Sequence, residues 1–360
     1  MPGQWKLNVG LYSACVKGKV IVALALQQTT TAEDFGRTVM RLRDLNTDDL
    51  SQVDREILSR LASPVSMIPD LAGHLINAGG KRLRPMLTLS AARSLGYEGE
   101  HHIVLAAAVE LIHGATLLHD DVVDDSALRR GEKTANIIWG NKESVLVGDY
   151  IFSRAFELMV AAQDLDVLRI LSRASSIIAE GEVLQLATQN NLETTEAMYF
   201  DVIDAKTAAL FAAATHVGAV IASGNPDEAS ALRNFGRHFG IAYQLIDDAL
   251  DYAGFERALG KTVGDDFREG KMTLPVINAV AKATPAERNF WNRTIKNGVQ
   301  QADDFEEACG LVDRHGALDE TFTRAGEYAE RAIDCLKPID DNVHTQLLRD
   351  LVESSLSRNS

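Results

Sequence analysis

The sequence predicts an all-α protein, a bundle of about 10–14 helices. Three observations predict it. Apolar residues recur with helical periodicity from about Leu50 onward. Proline is scarce, 8 in 360 residues, while Ala and Leu are plentiful. No segment sustains the apolar–polar alternation of β-branched residues that marks a strand.

In chain order, helices are expected over 34–44, 48–62, 66–78, 82–95, 101–125, 142–162 and 165–189. They continue over 194–222, 227–253, 272–282, 285–297, 301–314, 317–336 and 341–357. Helix breakers separate them: Gly79-Gly80, Gly96 with Gly99, Gly131, Gly224 with Pro226, Gly260 with Gly264 and Gly270, and Pro338. Segments 194–222 and 227–253 are too apolar all round for a surface, so they should be central. Residues 1–32 stand apart. Val20 to Leu26 follow Lys17 and Lys19 and faintly resemble a short signal h-region, but polar Gln27 to Thr31 follow and no small-residue cleavage pattern does. The expected organisation is a poorly ordered or weakly helical extension over 1–32 and one helical domain over 33–360.

Composition excludes several functions. A net charge of −15 and a pI near 5.1 argue against nucleic-acid binding. An anionic substrate must then be drawn by a local cluster of Lys and Arg. Cys15, Cys309 and Cys335 are dispersed, which indicates neither a disulfide framework nor a zinc site and fits a reducing cytoplasm. No stretch reaches the ~18–20 consecutive apolar residues of a membrane span.

One acidic pattern occurs twice: Asp120-Asp121-Val122-Val123-Asp124 and Asp247-Asp248-Ala249-Leu250-Asp251. On a helix each set of three carboxylates falls within an arc of about 100°. A lone motif of this kind is ordinarily a solvated face. Here Leu117, Leu118, Val122 and Val123 flank the first copy and Leu245, Ile246 and Leu250 the second, so neither helix is solvent-facing. Crowded, half-buried carboxylates need cations. Mg²⁺, usually bound by one or two carboxylates plus substrate phosphates, is the natural candidate.

The stripes extend further. His113, Thr116, Asp120 and Asp124 share one helix face; Gly240, Gln244, Asp247 or Asp248, and Asp251 share another. Gly240 weakens its helix relative to Ala, which hints that something approaches that face closely. Basic groups surround these stripes. Gly79-Gly80-Lys81-Arg82-Leu83-Arg84-Pro85 sets three cations beside glycines at a helix start, a good anion site. Arg129-Arg130-Gly131 and Lys133 follow the first acidic helix, and Lys206-Thr207 lies inside an apolar run. Lys261 and Lys271 flank a Gly-rich loop containing Asp265 and Asp266. Singly each is a surface patch; together they describe a site for two phosphorylated molecules, one of them metal-bound. An apolar helical interior behind it points to a hydrocarbon substrate. Ionisation of a carbon–oxygen bond to diphosphate is feasible when metal neutralises the leaving group, and the allylic cation then requires a dry cavity.

At this point the chain resembles a known family. The two aspartate-rich motifs, Gly-Gly-Lys-Arg-Leu-Arg-Pro, Leu-Ile-His-Gly-Ala-Thr-Leu-Leu-His-Asp-Asp, Arg-Arg-Gly, Lys-Thr and Gly-Lys-Thr-Val-Gly-Asp-Asp-Phe-Arg-Glu-Gly-Lys-Met-Thr-Leu-Pro together are similar to the trans-polyprenyl diphosphate synthases, in order over roughly residues 48–357. The resemblance implies a helical bundle around a central apolar cavity. It implies an allylic diphosphate bound through two or three Mg²⁺ ions on Asp120, Asp124 and Asp247, supported by Asp121, Asp248 and Asp251. Arg129, Lys206, Thr207, Gln244 and Lys261 would hold that diphosphate and the developing cation. Isopentenyl diphosphate would sit on Lys81, Arg84, His113 and Arg130. Tyr243 departs from the family pattern, which often has Phe there.

In this family, bulky aromatics four and five residues before the first motif give short products. Thr116 and Ala115 are small, which implies a deeper tunnel and a C40–C50 chain. The flanking wording, including Ala-Glu-Gly-Glu-Val-Leu-Gln-Leu, resembles bacterial octaprenyl and decaprenyl synthases that feed ubiquinone. Phe152 or Phe156 could floor the tunnel, against ordinary core packing. The family further implies farnesyl diphosphate as primer, a homodimer, and a product handed to a membrane. The alternatives are a C15–C20 synthase or a non-catalytic subunit of a heteromeric synthase, although such subunits usually lose aspartates. A phosphohydrolase of the HD type, built on His101 or His102 with His119-Asp120, and a terpene cyclase or head-to-head synthase are rivals that account for fewer of these features.

Overall fold

The computed structural model describes residues 34–77, 80–222, 225–253 and 264–357. The all-α expectation holds over them. The chain runs through α1 (34–45), α2 (Thr47–Leu61), α3 (Met67–Asn77), α4 (Leu83–Ser94) and α5 (His101–Val123). A two-residue antiparallel ribbon, β1 (Leu128–Arg129) with β2 (Glu132–Lys133), pairs Leu128 with Lys133 and Arg129 with Glu132. Then come α6 (Ala135–Trp139), α7 (Asn141–Ala161), α8 (Leu165–Thr188), α9 (Glu196–Ile203), α10 (Ala209–Ala222), α11 (Pro226–Tyr252) and α12 (Asp265–Arg268). The last five are α13 (Leu274–Ala281), α14 (Pro285–Trp291), α15 (Asp304–Arg314), α16 (Ala317–Cys335) and α17 (Val343–Leu356). The ribbon, α6 and α12 are too short for periodicity to reveal. The N-terminal extension, Cys15 and Lys261 lie outside the described residues.

Helix starts follow local chemistry. The Asp164 carboxylate accepts from the N–H groups of Asp166 and Val167 at the head of α8, and Asn225 does the same for Asp227 ahead of Pro226 in α11. The packing is centred where apolar composition predicted. Helix α10 lies among α4, α8 and α11; α5 packs on α7, α4 and α2; and α11 packs on α16. Two glycines permit the closest approaches. A Cβ at Gly218 would sit 2.5 Å from the Thr88 carbonyl, and one at Gly236 would sit 2.4 Å from that of Phe211. Phe211, Phe235 and Phe239 are fully buried at this junction, each contributing about 1.5–3 kcal/mol relative to exposure.

Two departures from the sequence reading have physical causes. The segments His101–Val123 and Glu196–Ala222 are long and apolar enough by composition to cross a membrane, yet more than half of each such window is buried inside the protein. They are core helices of the bundle. The helix expected over 194–222 is also not continuous. A wide π turn, Asp204–Ala208, interrupts it between α9 and α10, at the position of Lys206-Thr207. Single π turns of this kind frequently mark functional sites.

Helix α14 supplies a test of folding energetics. Thr284 and Glu287 form a reciprocal capping box, and the Glu287 carboxylate also accepts from Arg314 (2.7 Å) and His315 (3.1 Å). The Thr284 N–H bond, then the side-chain donors, pull the Glu287 carboxyl down to about 2. A depressed carboxyl stabilises the fold above its unfolded value, near 4.5, and that stabilisation is lost as pH falls toward 2. Glu287→Gln should therefore lower the melting temperature at pH 7, and the gap from wild type should close between pH 4.5 and 2. Scanning calorimetry at stepped pH reads this; a gap that stays constant down to pH 2 contradicts it.

Candidate active site

The first acidic motif ends α5. Asp121 is turned into the protein, 2% exposed, and accepts from Arg129 Nε (2.9 Å) and Nη2 (2.7 Å). The ribbon delivers Arg129. Its turn residues Arg130 (φ 55°) and Gly131 (φ 82°) are both left-handed, as a two-residue hairpin turn requires. Asn136 closes the corner by donating to the Asp121 carbonyl at 3.1 Å. Asp120 faces Lys206, Nζ–Oδ2 3.9 Å, and the same ammonium lies 2.8 Å from Glu182. Burial, reinforced by Glu182 and Asp124 against the pull of Lys206, raises the Asp120 carboxyl to about 7. Asp124 accepts from Lys271 Nζ at 3.0 Å, and Lys271 is also bonded to Glu269. Burial pushes the Lys271 ammonium down, but Asp266, Asp124 and Glu269 outweigh it and keep it charged.

The second motif lies on α11. Asp248, 4% exposed, accepts from Tyr199 Oη (2.6 Å) and Gln244 Nε2 (2.7 Å). Gln244 Oε1 in turn accepts from Thr207 Oγ1 at 2.8 Å. A continuous relay thus joins Tyr199, Asp248, Gln244 and Thr207. Burial and then Asp266 raise Asp248 to about 8, while Tyr199 and Gln244 oppose the shift. Asp251 accepts from the backbone N–H groups of Gly264 (3.0 Å) and Asp266 (3.1 Å), fixing the entry to α12. Asp247 is half-buried and within electrostatic reach of Arg84.

The π turn sets Lys206 and Thr207 between the two motifs, and two glycines make room for it. A Cβ at Gly240 would lie 2.8 Å from Ala208 Cα, and one at Gly181 would lie 2.9 Å from the Lys206 nitrogen. The close approach that Gly240 foretold is therefore backbone of the π turn.

The basic groups gather on the other side. Arg82 begins α4 with φ 51° and donates from Nη1 to Glu110 at 2.6 Å. Arg84 Nη1 donates to His113 Nε2 at 3.2 Å, and the Arg84 Nε–H is buried without a protein acceptor. Burial, then Arg84, Arg129, Arg130 and Arg82, hold the His113 imidazole well below its usual value, so it is neutral near pH 7. Arg130 reaches the glycine loop: a Cβ at Gly80 would sit 2.9 Å from its Nη1. Lys81 lies over the Phe35 ring, 4.6 Å from the centroid.

On the hydrocarbon side, Ala115 is wholly buried, and Thr116 Oγ1 donates to the His113 carbonyl of its own helix at 2.9 Å. Phe152 and Phe156 form an edge-to-face pair, centroids 5.3 Å apart, packed on the core that contains Ala115. Four partners escaped the sequence reading: Tyr199, Glu182, Glu110 and the ion-pairing role of Lys271. Glu182 and Lys271 stand in segments already singled out; nothing local distinguishes Tyr199 or Glu110 from ordinary helix residues. The arrangement also separates the histidines of the HD reading. His102 is bound to Asp49 (2.9 Å), His101 contacts the Ala162 carbonyl (3.1 Å), and His119 contacts that of Val145 (3.3 Å).

The carboxylates fit a hard divalent cation in chemistry. Asp120, Asp124 and Asp247 supply oxygen donors, and burial, then Glu182 and Asp124, make the charged form of Asp120 costly without a cation. Among the described residues no three such side chains converge on one point. The donor set suits ions that share their coordination shell with a diphosphate.

Comparison with known proteins agrees with this geometry. Residues 65–312 match the model of the family described as polyprenyl synthetase. The octaprenyl diphosphate synthase of Escherichia coli K12 is 42% identical over 321 residues, 88% of this chain and 98% of that protein. A polyprenyl synthase from Caulobacter crescentus CB15, crystallised with calcium and isoprenyl diphosphate, superposes with a TM-score of 0.87 at 50% identity, covering 89% of this chain and 98% of the other. A decaprenyl diphosphate synthase from Rhodobacter capsulatus gives 0.86 at 50% identity, covering 89% and 99%. With both acidic helices, the basic loop and the π turn brought to one place, the chain belongs to the polyprenyl synthetase family and is a prenyltransferase.

Proposed function

We propose that this prenyltransferase condenses an allylic diphosphate, farnesyl diphosphate as primer, repeatedly with isopentenyl diphosphate to an all-trans C40–C50 polyprenyl diphosphate. The observation that carries the reading is the juxtaposition of two unlike subsites. One is carboxylate-rich, formed by Asp120, Asp124 and Asp247; the other is cationic, formed by Lys81, Arg84, His113 and Arg130. Mg²⁺, when bound, would neutralise the leaving diphosphate. Lys206 and Lys271 are placed to take up diphosphate oxygens as they exchange their carboxylate partners for substrate. The family resemblance implies the same task for Lys261. The neutral His113 and the unpartnered Arg84 Nε–H offer the second diphosphate polar contacts in a buried setting. Thr207 and Gln244, joined by a 2.8 Å hydrogen bond, would offer oxygen dipoles to the developing allylic cation. Asp121, Asp248 and Asp251, each already bonded within the protein, act as supports.

Small side chains at Ala115 and Thr116 favour a long product, and the octaprenyl and decaprenyl names of relatives agree with that range. A homodimer in the cytoplasm, supplying quinone side chains for ubiquinone by transfer of product to a membrane, completes the reading.

Purified protein incubated with Mg²⁺, farnesyl diphosphate and labelled isopentenyl diphosphate should yield C40–C50 products. Chelation should suppress the rate by at least about a hundredfold. Absence of elongation by the isolated protein sinks the proposal, and elongation that stops at C15 or C20 sinks the long-chain part. Ala115→Phe, read on the same chromatogram, should shift products to shorter chains because a buried ring must occupy the path beside α5. Unchanged length would show that the chain grows elsewhere.

A further inference from the structure

The π turn Asp204–Ala208 is closed by a wide ring, in which the Ala209 N–H donates to the Asp204 carbonyl. Regular α-helix through the same residues would shift α9 against α10 by one residue, about 100° around the axis. Lys206 and Thr207 could not then both keep their present directions. Neighbouring helices hold the wide turn in place. Helix α8 grips its middle, where Gly181 admits the Lys206 backbone and Glu182 accepts from Lys206 Nζ at 2.8 Å. Helix α11 grips it at three points. Arg237 donates to both carboxylate oxygens of Asp204, from Nε and Nη2, each at 2.7 Å. Gly240 leaves room for Ala208, and Gln244 accepts from Thr207 at 2.8 Å. Spaced by three and four, Arg237, Gly240 and Gln244 share one face of α11.

We infer that Arg237 is a positioning residue for the reaction: by fixing Asp204 it holds the π turn and so presents Lys206 and Thr207 to the allylic diphosphate. The inference rests on the assignment of those two residues to that substrate. An exposed ion pair ordinarily contributes little, because its members are mobile and screened. The Arg237–Asp204 pair, with side chains 51% and 33% exposed, differs in two respects. It is a planar two-bond fork, which fixes direction as well as distance. It also joins α11 to a residue 33 positions away whose carbonyl accepts the bond that makes the turn wide. Loss of the fork therefore releases the turn at its first residue, while Gly240 and Gln244 still hold its far end.

The test measures initial rates with farnesyl and labelled isopentenyl diphosphate in Arg237→Gln, Asp204→Ala and the double variant. In Arg237→Gln, kcat/KM for farnesyl diphosphate should fall roughly fivefold to twentyfold. KM for isopentenyl diphosphate should change by less than about twofold. Asp204→Ala should reproduce both effects, and the double variant should lose no more than either single one. If Arg237→Gln does not fold, Asp204→Ala removes the same contact from the other side. Deuterium exchange reads the turn itself: the peptide carrying the Ala209 amide should exchange at least about tenfold faster in the variants. The inference is overturned if kcat/KM for farnesyl diphosphate stays at the wild-type value, if both substrates are weakened alike, or if the losses of the single variants multiply in the double. Lys206→Met separates the two levels of the argument. If it loses kcat/KM for farnesyl diphosphate and Arg237→Gln does not, the positioning role alone falls; if Lys206→Met keeps it, the subsite assignment falls and the inference with it.

Discussion

Six aspartates set into two apolar helices impose the constraint on which the rest of this site depends. Desolvation first, and neighbouring carboxylates after it, raise Asp120 to about 7 and Asp248 to about 8 against their attractive partners. Each carboxylate therefore has to be compensated, and the fold does so in two ways. Asp121 and Asp248, 2% and 4% exposed, are satisfied inside the protein by Arg129 and by Tyr199 with Gln244. Asp120 and Asp124 are met across the cleft by lysines, at 3.9 and 3.0 Å. The first group is a set of anchors. The second is a set of exchangeable contacts, since a lysine that leaves its carboxylate for a diphosphate opens that carboxylate to a cation.

Several local irregularities serve this division. The ribbon after α5 exists to turn Arg129 back onto Asp121, and its left-handed Arg130 and Gly131 are what make so short a reversal possible. The π turn at Asp204–Ala208 lifts Lys206 and Thr207 out of helical register so that one faces the first motif and the other the second. Gly181 and Gly240 bracket that turn, and a methyl group at either would collide with it. These two irregularities stand at the site, as expected when local strain is retained for function, whereas a second π turn, Asn292–Lys296 after α14, holds none of the site residues.

The fold was largely legible in the sequence because its evidence is redundant. Periodicity runs through more than a dozen helices, and Gly and Pro punctuate them close to the observed boundaries. The acidic motifs, the basic loop and His113 were legible because their residue types are costly in apolar surroundings. What could not be read depends on three-dimensional proximity. Tyr199 stands 49 residues from Asp248 and looks like any core tyrosine. Lys271 meets Asp124 across 147 residues. Spacing alone, identical in both motifs, does not separate the six aspartates; the division into ligands and supports came from the family resemblance, and burial and partners give it a physical basis. Periodicity likewise could not resolve a one-turn change of helix type inside 194–222.

The central claim, that carboxylates of equal spacing divide into anchors and exchangeable ligands, is tested most directly by Asp120→Asn beside Asp121→Asn. Both remove one charge at constant shape. Calorimetric titration of Mg²⁺ with inorganic diphosphate, paired with thermal melting, should show opposite patterns. Asp120→Asn should weaken Mg²⁺-dependent diphosphate binding by at least about tenfold. Its melting temperature should be unchanged or higher, because a carboxyl raised by burial is replaced by a neutral group. Asp121→Asn should keep most of the binding and melt lower, because Arg129 loses its buried partner. Two variants that lose binding equally and melt together would contradict the account.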